Sequence, residues 1–180
     1  ILAKIIINWK NSIGEAKKDF HILPYKFIVA SDVWVFLNLT LALAISVPAI
    51  NIYSHGTHVT VAHSMGSSIG INTMILLASA FFLITDVIKR EFTAIQKKRI
   101  SIGFWIFNIF FTMFLIALIS AGIEKGILTI DDKLSFQEIM MKIIPILMVF
   151  AFSGVGMFIG LSLIIIPLLN SAHDYLSTDY

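Results

Sequence analysis

The chain has no cysteine in its 180 residues, which excludes disulfide bonds and thiolate ligands without locating a compartment. Charge is also scarce: Asp, Glu, Lys and Arg make up 13% of the residues, against about 25% in ordinary soluble domains. The net charge of +2 is too small to suggest nucleic acid as a partner. No phosphate-binding glycine loop or serine-triad motif stands out. No secretory leader is recognisable: Ile1–Ile7 is apolar but carries no initiator Met, basic stretch or small-residue cleavage site. The chain opens in mid-run and then reaches Trp9-Lys10, an interfacial pair. These residues read as the last turns of a preceding helix, and the chain as the C-terminal portion of a larger subunit.

What is abundant is apolar surface. Hydrophobic residues make up 58% of the chain, and the mean hydropathy is +0.91. Runs of about 20 apolar residues are long enough to cross a bilayer. Four such runs predict an all-α, polytopic membrane helix bundle, with 1–180 as a single membrane domain. The helices are expected at about 27–50, 57–85, 100–122 and 140–169, with membrane lipid as a partner. Lys10, Lys17, Lys18 and Lys26 crowd one connection; Lys89, Arg90, Lys97, Lys98 and Arg99 crowd another. By contrast, 51–58 has no Lys or Arg, and 124–138 is mixed. Basic loops favour the cytoplasmic side. The segment around residue 55 is therefore expected at the outer face and the C-terminus in the cytoplasm.

The aromatic residues Phe104, Trp105, Phe107, Phe110, Phe111 and Phe114 are expected on every face of the third helix, for lipid contact and packing. Gly154, Gly156 and Gly160 should allow close approach in the fourth, with Gly156 and Gly160 forming a small-xxx-small pair. Pro145 and Pro167 fall near the ends of that helix, and 127–137 reads as an exposed connection. Outside one polar cluster, the spans read as free of charge, which weighs against a transporter.

That cluster is His55-Gly56-Thr57-His58-Val59-Thr60-Val61-Ala62-His63-Ser64-Met65-Gly66. Polar ionisable side chains at membrane depth mark functional sites, and imidazole and thioether both ligate haem iron. At about 100° per residue, His63 and Met65 point to opposite sides of one helix. Such a pair suits a helix between two iron centres, whereas a chelate on one helix would want a spacing of three or four. Ala62, Ser64, Gly66, Ser67, Ser68 and Gly70 would let flat macrocycles approach. His55 and His58 flank Gly56 at the helix entry, where they could bond a propionate or a carbonyl, or simply be interfacial polar residues. A zinc site from His55, His58 and His63 is disfavoured, because positions 58 and 63 diverge on a helix. Other readings remain open: His63 as a buried histidine bonded to a neighbouring helix, and Met65 as core filler.

The stretch Ser31-Asp32-Val33-Trp34-Val35-Phe36-Leu37, continuing through Val47-Pro48-Ala49-Ile50-Asn51-Ile52-Tyr53-Ser54-His55-Gly56-Thr57, resembles the ninth helix and following turn of nitric oxide reductase catalytic subunits. That family continues from His-Gly-Thr through five positions to His-x-His; here the sequence gives His63-Ser64-Met65. Gly103-Phe104-Trp105-Ile106-Phe107-Asn108 resembles the aromatic start of the family's eleventh helix.

The resemblance, within the haem–copper oxidase superfamily, implies a bundle corresponding to the last helices of subunit I. It also implies two-electron reduction of two NO molecules to N2O and water, with haem b in high-spin and low-spin forms. His63 resembles the proximal ligand of the high-spin haem. Met65 falls where the second histidine, the low-spin ligand, would stand, and is read as its substitute. Non-haem iron and its ligands are implied in helices before Ile1, so this portion alone is not expected to be active. The electron donor, a cytochrome c subunit or quinol, is unspecified. A bacterial inner membrane is the implied location. Rival readings are oxygen reduction or NO-dismutase-like chemistry on the same scaffold, and a haem-free membrane scaffold or transporter segment.

Overall fold

The computed structural model describes residues 22–132 and 134–178. The expectations for Ile1–Ile7, Trp9, Lys10, Lys17, Lys18 and Lys133 lie outside the described residues. Five helices follow in order: α1 (Ile22–Ser46), α2 (Pro48–Ser54), α3 (His58–Val87), α4 (Ala94–Ile130) and α5 (Phe136–Thr178). Among the described residues there is no strand, and α1, α3, α4 and α5 are each long and apolar enough to cross a membrane. The all-α, polytopic bundle expected from composition is the fold observed.

Local chemistry explains where the boundaries differ. The first helix stops at Ser46 rather than at 50, because Val47 is extended (φ −71°, ψ 123°) and Pro48 opens α2. A residue before proline is pushed out of the helical region, while proline itself suits a first turn. Helix α4 begins at Ala94, where Thr93 and Gln96 form a reciprocal capping box. It continues to Ile130, so 127–130 is helix rather than connection. The fourth long helix runs from Phe136 to Thr178, leaving Pro145 and Pro167 in its interior. Interior proline is tolerated in membrane helices because neighbouring groups satisfy the freed carbonyls.

Two further expectations are corrected. The aromatic residues of α4 are not spread over every face. Phe104, Phe107, Phe111 and Phe114 are buried at spacings of three and four, while Trp105 is 59% exposed. Nor are the spans free of charge: Asp32 is exposed ten residues into α1, about 15 Å along its axis.

The core lies between α1, α3 and α4. Phe27 stacks on Phe81 at 5.1 Å and meets Phe104 edge-on at 5.2 Å; Trp34 meets Phe111 at 4.6 Å. Gly70 of α3 sits beneath Trp34 and Phe111, where a Cβ would come within 2.8 Å of the Phe111 ring. The α4–α5 crossing is backbone-close, since a Cβ on Gly160 would lie 2.6 Å from Phe107 N. Gly156 packs under the Phe110 ring, whereas Gly154 faces open space and makes no such approach.

Both ends of the bundle are tied. At one end Arg90, beyond α3, pairs with Asp174 of α5 at 2.8 Å, and Lys26 of α1 donates to Ser101 of α4 at 2.9 Å. At the other, the Tyr53 hydroxyl of α2 donates to Asp131 at 3.3 Å. The basic loop and the late turns of α5 therefore share one end, and the His-Gly-Thr turn occupies the other.

Candidate functional site

The site begins with the turn that starts α3. Gly56 has φ +67°, a left-handed conformation that glycine adopts at little cost. Thr57 then caps α3: its Oγ1 accepts from Val59 N at 3.3 Å and donates to Ser54 O at 2.7 Å. The Gly and Thr of the motif thus have a local structural role, aiming α3 back across the bundle. His55 is exposed, and its backbone N–H donates to Asn51 O at 2.8 Å. His58 occupies the first position of α3, with a buried Nδ1 that has no hydrogen-bond partner among the described residues.

Two glycines missed at the sequence level form the bed for this turn. Gly126 of α4 lies against the backbone of Tyr53, and Gly122 lies against Val59 and Thr57, so that a Cβ on either would collide with them. Their i, i+4 spacing was the available signal, the same small-xxx-small pattern noticed at Gly156 and Gly160.

Further along α3, Val59, Ala62, Gly66, Gly70, Met74, Leu77 and Phe81 are buried. His63 and Met65 flank this face on opposite sides, as expected from their spacing. The His63 ring lies against α1: its Nδ1 and Asn38 Oδ1 are 3.0 Å apart. Because an amide oxygen only accepts, His63 Nδ1–H must be the donor. Asn38 Nδ2 donates in turn to Ser67 Oγ at 2.7 Å, and the amide rests on Gly66, whose Cβ would come within 2.5 Å of Oδ1. Three residues of α3 therefore hold one amide from α1. Met65 is partly buried and packs against the apolar core.

This hydrogen bond decides the histidine's chemistry. With its proton on Nδ1, neutral imidazole keeps the lone pair on Nε2, and that atom has no hydrogen-bond partner among the described residues. A metal-ligating histidine is typically held in this way, its other nitrogen donating to an oxygen. The arrangement therefore fits a haem-iron ligand. It also includes the expected bond to a neighbouring helix. Among the described residues no three His, Asp or Glu side chains come together in a metal-holding group.

Immediately after Met65, α3 widens into a π-helical segment, Gly66–Asn72. Thr73 Oγ1 reaches back five residues to Ser68 O at 3.4 Å within it. Such segments recur at functional sites.

Fold and site together define a multi-pass helical membrane protein that presents a histidine with an oriented, available nitrogen. The chain belongs to the family described as cytochrome C and quinol oxidase polypeptide I, whose family model matches residues 2–156. It is accordingly part of a haem–copper oxidase subunit I, an oxidoreductase subunit. No curated protein and no solved structure matches the chain.

Proposed function

We propose that this chain is a haem-ligating part of a nitric-oxide-reductase-like subunit in a bacterial inner membrane, with the histidine turn toward the outer face. The observation that carries the reading is the Asn38–His63 contact of 3.0 Å, which leaves His63 Nε2 available. His63 ligates the high-spin haem b and Met65, on the opposite flank of α3, the low-spin haem b. Bound haem iron supplies electron transfer and a site for substrate reduction. Asn38 holds the His63 proton at Nδ1 and keeps the ring oriented, and Gly66 and Gly70 let Asn38, Trp34 and Phe111 pack closely against α3. His55 and His58, at the rim, would bond haem propionates. Non-haem iron, the remaining ligands and the electron donor, a cytochrome c subunit or quinol, come from other parts of the complex.

His/Met ligation raises a haem's reduction potential relative to bis-imidazole. Optical and near-infrared magnetic circular dichroism of the oxidised complex, with and without Met65→Leu, tests this assignment. Loss of a thioether low-spin signal is expected; an unchanged low-spin spectrum removes Met65 from the ligand set. In His63→Leu the high-spin haem signal and turnover should both vanish while the protein still accumulates. Retention of both would overturn the proposal.

Oxygen reduction on the same scaffold is the second reading, favoured by the oxidase description of the matching family. Gas consumption by the intact complex separates the two: N2O from NO supports the first, and O2 uptake without N2O supports the second.

A further inference from the structure

On the outside of the bundle, α1 and α4 do not close against each other. A slot of about 550 Å³ opens between Val29 and Val33 of α1 and Trp105 and Thr112 of α4, with Lys26 at one end. Along its depth the polar groups are already used. Trp34 Nε1 donates to Asn108 Oδ1, Asn108 Nδ2 to Phe104 O, and the Thr112 hydroxyl to Asn108 O, each at 2.8 Å. What remains along this depth is an apolar trough, and Tyr25 lines the slot beside Lys26 at its polar end.

The end at Lys26 is different. Its Nζ donates to Ser101 Oγ at 2.9 Å and stands 4.3 Å from the Phe104 ring centre. An ammonium has three donors, and among the described residues no carboxylate pairs with this one. Lys97 and Lys98 lie four and three residues before Ser101 on α4, on the same side of the helix. Cationic groups therefore gather at one end of a trough that is otherwise apolar. From Lys26 to Leu37, another lining residue, the helix rises about 16 Å, close to half of a ~30 Å hydrocarbon core.

We propose that this slot binds one anionic phospholipid, its phosphate held by Lys26 at the basic end and an acyl chain laid along Val29, Val33 and Trp105. Basic pockets between membrane helices suit such headgroups, and the satisfied polar groups along the trough suit hydrocarbon. The inference rests on the membrane assignment alone, so failure of the NO reading leaves it intact.

The test is native mass spectrometry of the intact complex in nanodiscs of phosphatidylglycerol and phosphatidylcholine mixed equally. Wild type should retain one phosphatidylglycerol after detergent washing, and excess inorganic phosphate should not displace it. Lys26→Gln should weaken retention about fivefold. Lys26→Arg should preserve it, and Val33→Trp should abolish it by filling the slot while Lys26 remains. An unchanged far-ultraviolet circular dichroism spectrum and thermal midpoint in each variant report an intact fold. Equal retention of phosphatidylcholine by wild type, displacement by phosphate, or full retention in both Lys26→Gln and Val33→Trp would overturn the proposal.

Discussion

One amide does much to define the site. Asn38 is 8% exposed on α1, and its oxygen fixes which nitrogen of His63 carries the proton. Removing a group that orients a metal-ligating histidine typically costs about 10–100-fold in metal affinity or activity. Asn38→Leu should lower turnover by that range and weaken high-spin haem retention, read from haem content per protein. Asn38→Gln, whose longer side chain meets Gly66, should not restore either. A purely structural amide would instead show lost yield with normal haem occupancy in what survives.

At the level of helices, glycine placement separates tolerance from failure. Gly126→Leu would drive a side chain into the Tyr53 backbone, and overpacking of this kind costs about 1–3 kcal/mol. The variant should lose haem and accumulate poorly, as measured by the Soret band against total protein. Gly154→Ala meets nothing within 4 Å and should leave both readings unchanged. At Gly56 the φ of +67° makes Ala unfavourable by about 1 kcal/mol, so Gly56→Ala should lower the thermal midpoint modestly while keeping haem. The apolar runs were enough to reveal the four long helices, because membrane length sets a plain requirement. The flank positions of His63 and Met65 followed from helical rotation. Asn38 did not stand out, since a lone amide within an apolar run announces no partner until two helices are packed. The Thr93–Gln96 capping box and the Gly122–Gly126 pair were visible in principle, yet their effect depends on what lies opposite. Asp32 is legible inside the first apolar run from the sequence alone.

Taken whole, the bundle is incomplete as a buried object: within the most apolar window of each long helix, only 22–39% of the residues are buried. The remaining apolar surface requires lipid or further protein. The ties at the ends do not compensate for this. Arg90 and Asp174 are 35% and 56% exposed, and exposed ion pairs are usually worth about 0–1 kcal/mol. Asp174→Asn should therefore leave haem content and turnover near wild-type values, with at most a small drop in thermal midpoint. The molecule's organisation depends more on the continuity of α3. In an ordinary α-helix, positions 62 and 74 would differ by about 120° in direction, yet Ala62 and Met74 are both fully buried. The wide turns of Gly66–Asn72 absorb that difference. Deleting a single residue there would restore the ordinary pitch and leave His63 and Met65 within about 20° of their present direction relative to Phe81, whereas inserting one would swing them by about 100°. The segment acts as a phase-setter between the two halves of α3, bringing Ala62 and Met74 onto one buried face.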